Sequence, residues 1–105
     1  MTDSNEIEKK LGEIINSATL GEDGKFDAET YSSIRSLLNK CITEKIVPPA
    51  DIRTVHDKKK LVDYCECGSA YFFQKAMAGE KEFQSMVGMY EKARRKYQAE
   101  LVKKR

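Results

Sequence analysis

Few residues in this chain could carry chemistry. His56 is the only histidine, and three cysteines stand at positions 41, 65 and 67. A single histidine excludes the paired-histidine zinc motifs and HD-type metal sites at once. Beside Asp57, His56 could act as base to a Ser or Cys nucleophile. It falls, however, at an expected helix start, where solvated polar residues are ordinary, and no nucleophile has an identifiable base. Cys65 and Cys67 form a Cys-x-Cys pair that, with Cys41 and His56, could be imagined as a four-ligand zinc set. Residues two apart on a helix are separated by about 200°, so both thiolates could reach one ion only if the helix broke there. Cys65 is therefore expected in the core and Cys67 near the surface, where it would be open to oxidation. The segment Gly21-Glu22-Asp23-Gly24-Lys25 has no phosphate-loop pattern, and its acids would repel a phosphate. Asp23-Gly24 is turn chemistry. The acids Asp27, Glu29, Asp57, Asp63 and Glu66 lack the spacing of a calcium loop. The expectation is a chain that is not an enzyme and uses no metal or cofactor.

Three basic runs remain: Lys58-Lys59-Lys60, Arg94-Arg95-Lys96 and Lys103-Lys104-Arg105. Each could contact phosphates, and the first two are the candidate nucleic-acid contacts. Lysine runs on solvated helix faces are equally routine, and cations in the last turns of a helix are favoured by its dipole. A helix-turn-helix is not evident, because neither short connection fits its tight turn.

These residues must be positioned by helices. The first is expected to start at Asp3, with Glu6 as its capping-box partner, and to carry Ile7, Leu11, Ile14, Ile15 and Ala18 on one stripe. Gly21 and Gly24 end it in a turn. Asp27 caps the second helix, flanked by the hydrophobic-staple pair Phe26 and Tyr31. Ile34, Leu37, Leu38, Cys41 and Ile42 continue its buried face, and Val47-Pro48-Pro49 must end it. Thr54 and Asp57 suggest a capping box that opens a long third helix running to about Ala78. Its stripe of Leu61, Cys65, Gly68, Phe72 and Ala76 is widened by Val62, Tyr64, Tyr71, Phe73 and Met77 to more than half the circumference. A helix so apolar is normally covered on two sides, which makes it central. Gly79 breaks it, and a fourth helix starts at Glu80. There Phe83, Tyr90 and Tyr97 repeat every seven residues, joined by Met86, Val87, Ala93 and Leu101, while Met89 falls outside the seam.

The fold class expected is all-α: a compact bundle of about four helices with a long central third helix, forming a single helical domain over residues 1–105. One core is what 105 residues allow. No stretch approaches the roughly 20 apolar residues needed to span a bilayer, and the N-terminus has no signal-peptide pattern. The expected location is cytoplasmic, or the virion if the chain is phage-encoded, with reduced thiols and no membrane partner. Charge is uneven: residues 1–24 hold six acids and two bases, and residues 80–105 hold eight bases and four acids. Such ends could pack within one subunit or meet between subunits, and association of that kind weakens as salt rises.

Apolar surplus on the third helix, with the methionines around Gly79, exceeds what three other helices comfortably cover. Surplus of this kind rimmed by charge marks a protein contact, for which Tyr71, Phe73, Met77, Met86 and Met89 are the candidates. Gly68 and Ser69 would allow another backbone to approach. Ala70-Tyr71-Phe72-Phe73 with Ala76, followed by Tyr90, Ala93, Arg94 and Tyr97, resembles the helical head-to-tail adaptor (connector) proteins of tailed bacteriophages. The resemblance spans residues 34–101 as a pattern, without a diagnostic motif or a functional residue to carry over. It implies a ring of identical subunits and no catalysis. The function expected is a non-enzymatic assembly module that self-associates or docks on a larger protein. The alternative is a small helical nucleic-acid-binding regulator or packaging factor.

Overall fold

The computed structural model describes residues 4–103, and four α-helices build it. Helix α1 spans Ser4–Ser17 and buries Ile7, Leu11 and Ile15, with Ile14 and Ala18 packed beside them. Its expected cap, Asp3, lies outside the described residues. A turn follows in which the Gly21 N–H donates to the Lys25 carbonyl at 2.9 Å and the Lys25 N–H to Asp23 Oδ1 at 3.1 Å.

Helix α2 spans Ala28–Thr43 and starts as the sequence dictates. Asp27 Oδ1 accepts from the Thr30 N–H at 2.8 Å, and hydrogen bonding to the Thr30 side chain, then to its N–H, holds the Asp27 carboxyl below its ordinary pKa. The staple closes too, with the Phe26 and Tyr31 rings 6.0 Å apart edge to face. The helix ends four residues before the expected Val47, however. Lys45 takes a left-handed φ of 58°, and the Lys45 and Ile46 N–H groups donate back to Ile42 and Cys41. That is a Schellman stop, which completes the helix before proline can act.

Residues 44–57 form a long connection that runs through the interior. Pro48, Ala50, Ile52 and Val55 are buried in it. The Tyr64 O–H donates to the Pro49 carbonyl, and the Tyr90 hydroxyl lies 2.9 Å from that of Tyr64. Cys65 Sγ–H donates to the Ala50 carbonyl at 3.5 Å, and the Tyr97 O–H donates to Asp51. On its other side the Arg53 N–H donates to Glu8 at 3.2 Å, and Asn16 Nδ2–H donates to the Thr54 carbonyl at 3.1 Å. The connection is thus a wedge, tied to α1 on one flank and to the last two helices on the other. Thr54 belongs to it and is not a helix cap. Helix α3 starts one turn later, at Lys58, with Asp57 accepting from the Lys59 N–H at 3.0 Å.

Helix α3, Lys58–Met77, buries Leu61, Tyr64, Cys65, Gly68 and Phe72, and packs on both α2 and the following helix. It ends at Gly79, whose φ of 106° sets a second Schellman stop. The fourth helix does not begin at Glu80. A 3-10 turn over Lys81–Phe83 comes first, and α4 then runs over Gln84–Lys103, as long as α3. The two form an antiparallel hairpin with Phe83, Tyr90 and Tyr97 buried in its seam. Phe72 is the centre of an aromatic stack, 5.9 Å from Tyr90 and 5.6 Å from Phe83. The architecture is all-α with α3 central, and the described residues contain no strand.

Candidate interaction surfaces

The chemistry-bearing residues are dispersed. His56 is exposed in the connection. Cys65 is in the core and Cys67 is half-buried, as their spacing implies. Burial pushes the Cys65 thiol up to about 12 and the Cys67 thiol up to about 11, and it also raises Cys41. All three are therefore protonated and weakly nucleophilic at neutral pH. Among the described residues no three His, Cys, Asp or Glu side chains gather as a metal site, and no helix is long and apolar enough to cross a membrane.

One buried acid was not singled out by sequence. Asp63 lies on the α2 side of α3, where its Oδ2 accepts from the Phe26 N–H at 2.9 Å and from the Tyr31 O–H at 2.6 Å. Its neighbourhood is a shallow groove between α2 and α3 lined by Arg35, Cys67 and Tyr71. Burial and the bond to Asp63 both raise the Tyr31 hydroxyl. The acid pins the start of α2 to α3. A lone Asp between Val62 and Tyr64, in the apolar run Leu61–Cys65, is the sequence signal that could have marked this role.

The five candidate interface residues divide. Phe73 is 48 % exposed and Met77 72 %, one turn apart on the outer side of α3. Phe73 flanks a groove between α3 and α4 with Ala70, Val87 and Gln84, rimmed by Glu66, Glu91 and Arg94. Tyr71 lies on the opposite flank of α3. It is half-buried, with its ring against Phe72 and its O–H donating to Asn39 at 3.3 Å. Met86 and Met89 are half-buried and packed on the core, so Met89 does not stand outside the seam. Gly68 likewise serves the hairpin itself, because a Cβ there would meet the Tyr90 ring at 2.6 Å.

The six candidate phosphate contacts divide as well. Lys58 pairs with Glu100 at 3.3 Å and lies 5.1 Å from the Tyr97 ring centre. Lys60 Nζ donates to the Asn16 carbonyl at 3.2 Å. Arg94 grips Glu91 through Nε and Nη2 and reaches Gln98 at 3.2 Å. That grip lowers the Glu91 carboxyl pKa. Lys59, Arg95 and Lys96 are exposed. The outer face of α1 mixes Lys9 and Lys10 with Glu6 and Glu13, so it does not present the acidic surface that the terminal charge counts suggested. No family model, curated protein or solved structure matches this chain.

Proposed function

We propose that the chain is a non-enzymatic assembly module whose copies associate through the outer edge of the α3–α4 hairpin. The observation that supports this most is the Phe73–Met77 ridge, two large apolar side chains exposed one turn apart beside an apolar groove floor. Covering such a ridge is favourable by about 25 cal/mol for each Å² of apolar surface removed from water. The groove rim carries both signs, at Glu66, Glu91 and Arg94. A copy related by a twofold axis could meet it with opposite charges. In the form that the resemblance to phage connectors implies, many copies would instead close into a ring.

Sedimentation of the full chain over a range of concentrations tests this reading. The expected result is a discrete oligomer, a dimer for the twofold arrangement or a larger closed species for a ring. The double variant Phe73→Ser, Met77→Ser should sediment as a monomer with unchanged helicity by circular dichroism. A wild-type chain that stays monomeric at the highest concentration reached would overturn the reading.

A further inference from the structure

We infer that the outer face of α4 is a docking surface for duplex nucleic acid, engaged through the phosphate backbone. The exposed residues of α4 are Gln84, Ser85, Gly88, Lys92, Arg95, Lys96, Gln98, Ala99, Val102 and Lys103. Four of these are bases and none is an acid. The exposed faces of the other three helices all mix signs: Glu6 with Lys9 on α1, Glu29 with Arg35 on α2, Lys59 with Glu66 on α3.

The acids of α4 are on its flanks and already engaged. Glu91 is held by Arg94 and by the Ser69 hydroxyl at 2.7 Å, and Glu100 pairs with Lys58 at 3.3 Å. Among the described residues, Lys92, Arg95, Lys96 and Lys103 make no ion pair. Lys59 adds a further exposed cation at the same end, because the antiparallel hairpin brings the start of α3 beside the end of α4. Lys58 and Lys96 both approach the Tyr97 ring there, at 5.1 and 5.8 Å.

The kind of partner follows from what the face contains and lacks. From Lys92 to Lys103 the helix rises about 16 Å. Duplex DNA presents a phosphate charge every ~1.7 Å of axis, so this face spans about ten of them. Tyr90 and Tyr97 point into the core, which leaves α4 without an exposed aromatic on which unpaired bases could stack. Val102 is the one large exposed hydrophobe of α4, too little to enter a lipid surface. A cationic, non-stacking, non-inserting face suits the backbone of a duplex. The ridge at Phe73 and Met77 is elsewhere on the hairpin, so the two surfaces are separable.

Fluorescence anisotropy of the full chain with a labelled duplex of about 20 base pairs, random in sequence, tests this. The expected result is binding at low salt, with log K against log salt falling at a slope near −3.6 for four phosphate contacts. The triple variant Lys92→Glu, Arg95→Glu, Lys96→Glu should weaken binding at least about a hundredfold, since each contact is worth roughly tenfold at about 50 mM salt. The triple variant Lys92→Gln, Arg95→Gln, Lys96→Gln should also weaken it, and the melting curves of both should match wild type. No duplex binding at low salt would overturn the inference, and so would equal binding by the charge-reversed variant. Binding to vesicles of anionic lipid but not to duplex would make the face a membrane contact instead. Salt-sensitive self-association abolished by the triple variant, without duplex binding, would make it a contact between copies. The Phe73→Ser, Met77→Ser variant should still bind duplex, because the ridge it removes lies apart from this face.

Discussion

At Gly68 one absent methyl group decides how closely α3 and α4 approach. A Cβ there would fall 2.6 to 2.8 Å from three atoms of the Tyr90 ring, and that ring is held by the Tyr64 hydroxyl and by stacking on Phe72. Ala in place of Gly normally stabilises a helix interior by about 1 kcal/mol, while overpacking a fixed neighbour costs about 1–3 kcal/mol. Gly68→Ala is therefore expected to lower stability by up to about 2 kcal/mol. Gly88, on the open face of α4, has nothing within 4 Å of an added Cβ. Gly88→Ala should raise stability by about 0.5–1 kcal/mol. Urea denaturation of the two variants decides the matter, and a stabilised Gly68→Ala would show that the ring yields. The sequence marked Gly68 as a place of close approach, but not that the partner is the chain's own Tyr90.

Helix ends show which local signals could be read. Asp27 and the Phe26–Tyr31 staple were legible because a cap needs only the residues beside it. The stop of α2 was not, because its Schellman motif uses a lysine where glycine is usual. Lys45 holds a left-handed conformation that a side chain makes unfavourable by about 1–2 kcal/mol. Lys45→Gly should relieve most of that strain and raise stability by about 0.5–1 kcal/mol after the extra freedom of the unfolded glycine is counted. Thermal melting of this variant, beside a Lys45→Ala control that should gain nothing, is the check. A gain in both would place the effect in the lost charge, not in the backbone. The start of α3 lies one turn beyond Thr54 for a different reason. Thr54 has the right type and spacing for a cap, yet its hydroxyl packs against α1 at Gly12.

Across the whole molecule, tyrosine hydroxyls tie the connection to the hairpin. Burial raises the Tyr64 and Tyr90 hydroxyls well above the ordinary range, and burial with the Asp51 contact does the same for Tyr97. Unfolded tyrosine loses its proton near about pH 10, whereas these keep theirs, so above that pH the unfolded state binds fewer protons than the folded one. Their stabilising contribution is complete below about pH 10 and is lost as pH rises further. Each contributes a fall of about 1.4 kcal/mol per pH unit. Cys65, pushed up to about 12, starts the decline from its ordinary value near 8.5. Unfolding free energies at about pH 8 and about pH 11 should therefore differ by several kcal/mol, with tyrosinate absorbance rising together with loss of helix. Tyrosinate absorbance that rises while helicity holds would show these hydroxyls to be open to solvent.

Periodicity and capping chemistry are local, so four helices, their apolar stripes and the centrality of α3 are legible from the residues alone. Residue spacing also places Cys65 inside and Cys67 near the surface, because rotation per residue along a helix fixes which neighbours share a face. Tertiary structure alone decided which exposed groups are spent on the protein itself. Lys58, Lys60 and Arg94 look like phosphate contacts in a linear run, yet each is taken by a partner, those of Lys58 and Lys60 more than 40 positions away in the chain. Phe73 stays bare while Tyr71, two residues earlier, turns toward α2. A stripe names a face; which body covers that face is settled only when the chain folds back on itself.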